Sequence, residues 1–213
     1  DRWLTYSLPE YFHYPQYAAL AWLVAKALDP DRRHWPVGRV LLLTTALGAI
    51  DEITQYLWIT TSYSHYLDFN DMLVNLLAAA LGLVLYYGFR TPPTHLHTGR
   101  VPRAWAIASV VLGLALTGAV LSGRLRITPE APVAPGGWAS APDGRARLYL
   151  QREAGLYGRW HPSAWRMRHW VLSPAAGLGL VALTWLVWLP FAGRRYDPAA
   201  RAPGTPQPLA PPS

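Results

Sequence analysis

Seven polar residues stand out because apolar sequence surrounds them: His13 and Tyr17, then Asp51, Glu52 and Gln55, then Asp71 and Asn75. An ionisable side chain inside a membrane span costs a few kcal/mol on insertion scales, so each needs a partner or a task. The spacing provides partners, since Gln55 is four residues from Asp51 and three from Glu52 and can share a helical face with either acid. His13 with Tyr17 and Asp71 with Asn75 repeat the four-residue step. Two readings stay open. The groups can hydrogen-bond one another to lock a helix bundle, at about 1 kcal/mol each, or they can line a pocket for an ion or an amphiphile. If a reaction occurs there, Glu52 or Asp51 is the candidate general base and His13 its proton partner; no catalytic residue follows from the sequence.

These residues fall on three of five apolar runs, at 11–28, 37–59, 72–89, 105–121 and 170–192, each long enough to cross a bilayer. The expected fold is all-α, a polytopic transmembrane bundle of about five spans, with a long irregular loop between spans four and five. A three-helix region occupies 1–90, two further helices and the Arg/Trp-rich loop 122–169 occupy 91–195, and a Pro/Ala-rich tail, 196–213, is expected to be disordered. The short 60–70 connection makes spans two and three an antiparallel hairpin, which brings Asp51, Glu52, Gln55, Asp71 and Asn75 to one level, and an N-terminus placed outside adds His13 and Tyr17 to it. Because the sequence begins at Asp1 rather than Met, a processed or truncated form is expected, and the total helix count stays open.

Charge supplies orientation. The net charge is +7 and the pI about 9.9, but the cations flank the apolar runs, which fits lipid headgroups and not nucleic acid. Lys26, Arg32, Arg33 and Arg39 surround the first connection, Arg90, Arg100 and Arg103 the third, and Arg194 and Arg195 follow the last span, whereas 60–70 has no Lys or Arg. The positive-inside bias therefore places a multi-pass protein in the cell membrane with its visible N-terminus outside and its C-terminus in the cytoplasm. The long 122–169 connection is rich in Arg yet lies outside, as long segments can be translocated despite their charge.

Other features refine this picture. Small residues Ala78 and Gly82, Gly113 and Gly118, and Gly177 and Gly179 permit close helix approach. Trp160, Trp165, Arg166, Arg168 and Trp170 suit an amphipathic collar in the headgroup layer, or a substrate lid. Within the same loop, 129–144 reads as irregular and 146–152 alternates like a short strand. His95 and His97 lie without nearby Cys or carboxylate, and His161 and His169 fall within the collar; no metal site and no cofactor is predicted. The chain has no Cys, so no disulfide or thiol chemistry is available. The expected partners are membrane lipids and, through helices 105–121 and 170–192, other membrane subunits.

The order His13-x-x-x-Tyr17, Asp51-Glu52-x-x-Gln55 and Asp71-x-x-x-Asn75 resembles the VanZ-like membrane proteins, a family named for a teicoplanin-resistance protein. The resemblance covers about 10–87. It departs from the family pattern in the missing Arg of the 60–70 connection and in Ala78, where Gly is usual. The resemblance implies an envelope-located membrane protein without a well-defined activity. A different class of function is also open: a non-catalytic accessory subunit of a respiratory or photosynthetic membrane complex.

Overall fold

In a computed structural model, residues 11–32, 35–61, 64–88, 103–141, 143–162 and 168–192 are described. Arg33, Arg90, His95, His97, Arg100, Trp165, Arg166, Arg194, Arg195 and the 196–213 tail lie outside them. Among the described residues five long helices form: α1 (His13–Leu28), α2 (Val37–Thr54), α3 (Phe69–Tyr87), α4 (Arg103–Leu121) and α5 (Pro174–Ala192). Three of them, α3, α4 and α5, are long and apolar enough to cross a membrane, with mean hydropathies of 1.6, 2.1 and 1.8. Helix α1 has 16 residues, short of the roughly 20 that a bilayer core asks for. Helix α2 carries Arg39, Asp51 and Glu52.

Small residues decide how α1 and α3 meet. Ala18, Ala21 and Ala25 of α1 and Ala78, Ala79 and Gly82 of α3 are all buried, and a β-carbon at Gly82 would lie 2.1 Å from the Ala18 carbonyl oxygen. Backbone touches backbone there, the geometry that gives helix pairs in lipid their dispersion energy. Helix α2 closes the trio with Val40 and Leu41 against Ala79, Leu83, Tyr86 and Tyr87. Helix α5 lies across α2 and α3; a β-carbon at Gly177 would meet the Phe69 side chain at 2.4 Å.

The far end of this trio is tied by Asp29, fully buried in the turn after α1. Its carboxylate accepts from Trp35 N at 2.9 Å and from the Tyr87 hydroxyl at 3.1 Å, and its carbonyl accepts from the Tyr86 hydroxyl at 2.7 Å. Arg32 and Trp35 take positive φ angles of 58° and 48°, conformations that cost non-glycine residues energy unless the surroundings enforce them. The Asp29 bonds, the Trp35–Tyr87 ring stack and the Arg32 guanidinium 4.7 Å over Tyr86 provide that enforcement.

At the other end the described part of the 122–169 connection is folded, which corrects the expected irregular loop; of the strand expected at 146–152, Ala146–Tyr149 forms one. Strands β1 (Leu125–Arg126), β2 (Trp138–Ser140) and β3 (Ala146–Tyr149) form a sheet in the order β1-β3-β2, the first pair parallel and the second antiparallel. Strands β4 (Trp160–Pro162) and β5 (Arg168–Trp170) form an antiparallel pair with Trp160 opposite Trp170. The architecture is therefore helical with a small β cap, not all-α. Trp170, expected inside the fifth span, belongs to β5; the helix begins at Pro174, whose missing N–H costs nothing in a first turn.

The cap is bonded to the helix ends. Tyr56 donates its hydroxyl to Tyr149 O at 2.6 Å, and the Tyr157 hydroxyl sits between the carbonyls of Leu150 and Leu67 at 2.7 and 2.9 Å. Asn70 donates to Trp170 O and accepts from Leu172 N at 2.7 and 2.9 Å. Gly137 is required beneath these contacts: its φ is 69°, and a β-carbon would fall 2.3 Å from Tyr149 O and 2.4 Å from the Tyr56 hydroxyl. Leu67, Phe69, Met72, Tyr56 and Leu150 form a second apolar core, shared between cap and helices.

His169 gives the cap a pH dependence. It is 4% exposed, with its Nε2 3.1 Å from the Tyr66 hydroxyl, and burial first, then the neighbouring His161, push its pKa down from 6.5 to about 4. The unfolded side chain binds a proton below about pH 6.5 while the folded one resists until about pH 4, so stability is full above that window and falls across it. With intrinsic rates corrected for pH, acidification from pH 7 to pH 4.5 is expected to lower the protection factors of cap amides by at least tenfold. His169→Gln should flatten the dependence, and equal protection factors at the two pH values would refute it.

Candidate functional site

The polar residues of α1, α2 and α3 meet just beneath the cap. His13 Nδ1 lies 2.8 Å from Asn75 Oδ1, and the Tyr17 hydroxyl donates to Asp51 Oδ2 at 2.9 Å. Gln55 Nε2 donates to the same Asp51 oxygen at 3.0 Å. The His13 and Tyr17 rings stack with centroids 6.0 Å apart and planes 9° from parallel. The contacts within a helix follow from the four-residue step, which places His13 and Tyr17 on one face of α1 and brings Gln55 back over Asp51.

The backbone changes at this level too. Helix α2 ends at Thr54 and continues as a π-helix, Gln55–Ile59, in which Thr60 N reaches Gln55 O at 2.8 Å. Such wide turns are rare and concentrate at functional positions. Asp68 caps α3, accepting from Asn70 N at 2.8 Å, and burial raises its carboxyl pKa to about 6 against the pull of the Asn70 and Asp71 amides. Asp71 follows in the first turn, where the partial positive charge of the helix end favours an anion.

The two adjacent acids have different surroundings. Asp51 is half-buried and holds the Tyr17 and Gln55 bonds. Glu52 is 4% exposed and faces inward, where one of its carboxylate oxygens lies within 4.8 Å of a ligand atom of His13 and one of Asp71, and those two are as close to each other. The sequence predicts no metal site, because these donors sit on three helices, 19 to 58 positions apart, and no short motif joins them. Asn75 is 1% exposed, and its Nδ2 makes no hydrogen bond. All seven predicted polar residues are thus in one region, directly or through one neighbour.

The remaining predicted residues divide. Ala78, Gly82 and Gly177 lie in tight helix contacts, whereas Gly113, Gly118 and Gly179 have nothing within 4 Å of a built β-carbon. Trp160 and Trp170 pack edge to face across the β4–β5 pair, at 5.7 Å. Arg168 lies in β5, and His161 donates from Nε2 to Leu156 O at 2.7 Å. Asp29, Asn70 and Tyr157 were not singled out by sequence. Asp29 reads there as a loop acid, and nothing local marks it as buried.

Comparison with protein-family models finds none that matches the chain, and comparisons with curated proteins and with solved structures find no match either.

Proposed function

We propose that the chain is a VanZ-like multi-pass protein of the cell envelope, crossing the membrane about five times. In this reading its α1–α3 site, beneath an outward-facing β cap, binds an ion or an amphiphile. The observation that carries this is the inward-facing Glu52, grouped with His13 and Asp71. A bundle lock needs only pairs such as Tyr17–Asp51 and Gln55–Asp51. A second carboxylate and an imidazole drawn to the same point, with a buried amide donor still open beside them, go beyond what locking requires. Orientation rests on cations: Lys26, Arg32, Arg39 and Arg103 lie at the end opposite the cap. Single cysteines at Ser64 and Thr98, treated in intact cells with an impermeant thiol reagent, are expected to label at Ser64 only. Labelling at Thr98 with protection at Ser64 would reverse the topology.

A second reading, the accessory subunit, is favoured by α4. That helix buries none of its residues against the rest of the chain, and Leu121 is 82% exposed. Helix α5 buries only Pro174, Gly177 and Ala192. A helix apolar all round is covered by lipid or by protein. In native membranes, cross-linkers on α4 and α5 capture a neighbouring subunit more often than those on α2 and α3 if the chain is such a subunit; equal capture speaks for lipid.

A further inference from the structure

Resting on that ligand-site reading, we propose that His13, Glu52 and Asp71 bind one divalent transition-metal ion of the zinc class, with Asn75 as the residue that orients the imidazole. One ligand atom from each of the three lies within 4.8 Å of the others. They come from α1, α2 and α3, so an ion there adds a tie among three helices already joined by packing and by the His13–Asn75 and Tyr17–Asp51 bonds. The donor set chooses the metal. One imidazole nitrogen with two carboxylate oxygens suits zinc, manganese or ferrous iron, whereas calcium and magnesium prefer oxygen alone.

Two atoms bound to one zinc at about 2.0–2.2 Å lie at most roughly 4.3 Å apart. Donors that already lie within 4.8 Å of one another therefore need at most a small closure on binding, a motion within reach of the flexible Glu52 side chain. Three protein ligands leave at least one position open to water or to an anionic group, the arrangement of zinc sites that meet a ligand from outside.

Asn75 supplies an independent observation. Its Oδ1 stands 2.8 Å from His13 Nδ1; with Nδ1 as the donor of that bond, Nε2 keeps a lone pair for the ion. A carbonyl behind a metal-bound histidine is the usual means of fixing its tautomer and ring plane. The other arm of the same amide, Nδ2, is buried without a hydrogen-bond partner, although Asn75 is 1% exposed. A donor in that position is satisfied by a water or an anionic oxygen held on the ion. A purely structural asparagine in an apolar bundle has no reason to leave an N–H unpaired at such depth.

The test uses the full chain, without a histidine tag, in lipid nanodiscs. The protein is stripped with chelator, dialysed against zinc and assayed for bound metal, and cobalt is then substituted to read coordination from its visible absorption. One ion per chain is expected. His13→Gln and Glu52→Gln should each weaken zinc binding 10- to 100-fold and remove the cobalt band, while His95→Gln with His97→Gln leaves both unchanged. Circular dichroism and nanodisc elution confirm that the variants are folded. Zinc no higher than in empty nanodiscs, or zinc binding that survives His13→Gln and Glu52→Gln, overturns the assignment. An amphiphile retained without metal also overturns it, yet leaves the ligand-site reading intact; loss of both removes both.

Discussion

Gly82→Ala is expected to separate α1 from α3 and leave little folded protein. The added methyl would stand 2.1 Å from Ala18 O and 2.8 Å from the carbonyl carbon, and both partners are backbone, so no rotamer change relieves the clash. Overpacking of this kind costs about 1–3 kcal/mol when the structure can adjust. Here adjustment means moving two helix axes apart along the Ala18, Ala21 and Ala25 face, which forfeits further contacts and strains the polar cluster at the helix ends. The control is internal: Gly113→Ala and Gly118→Ala, where nothing lies within 4 Å, should be neutral or slightly stabilising, since alanine is the better helix former by about 1 kcal/mol. Thermal midpoints measured in one detergent decide the matter, and a Gly82→Ala midpoint equal to that of Gly113→Ala would refute this packing.

The second large effect is expected at Glu52, and it depends on the replacement. Glu52→Leu sets an apolar side chain against His13 and Asp71 in a buried space, and leaving their polar atoms less well satisfied costs about 1–3 kcal/mol each. Glu52→Gln keeps shape and hydrogen-bonding capacity while removing the charge. A site selected for a ligand holds groups that do not serve stability best, so Gln at this position should preserve the thermal midpoint or raise it. A lock would respond in the opposite way, with both variants destabilised. Asp51→Asn is the comparison, because Asp51 already holds the Tyr17 and Gln55 bonds.

Much of this architecture is written locally in the chain. The run 37–59 appears as α2 plus its π-helical extension, and 105–121 as α4 less two residues at its start, because continuous apolar character over such lengths leaves few alternatives to a helix. The polar cluster was legible for a related reason: four-residue steps and an antiparallel hairpin place side chains at known heights. Three things were not legible. Most of the β cap escaped because its strands have two to four residues and β1 pairs with β3 across an intervening strand, so only β3, within the alternating 146–152 stretch, has a local period to announce it. The metal-competent trio escaped because spacing along one helix says nothing about which of Asp51 and Glu52 turns toward a third helix. The glycines divided in a way that small-residue motifs cannot foretell, since Gly82 and Gly113 look alike until a neighbour is placed against one of them. Asp29 shows the same limit from the other side, as an acid after a helix reads as solvated until Tyr86, Tyr87 and Trp35 close over it.

The central claim is that α1–α3 form a ligand site and not only a lock. Native mass spectrometry of the wild-type chain and of Glu52→Gln, released from the same lipid mixture, tests it most directly when paired with their thermal midpoints. The account predicts a reproducible bound mass on the wild type that is lost from Glu52→Gln, with a midpoint unchanged or higher in the variant. Identical mass spectra, together with a lower midpoint for Glu52→Gln, would contradict it.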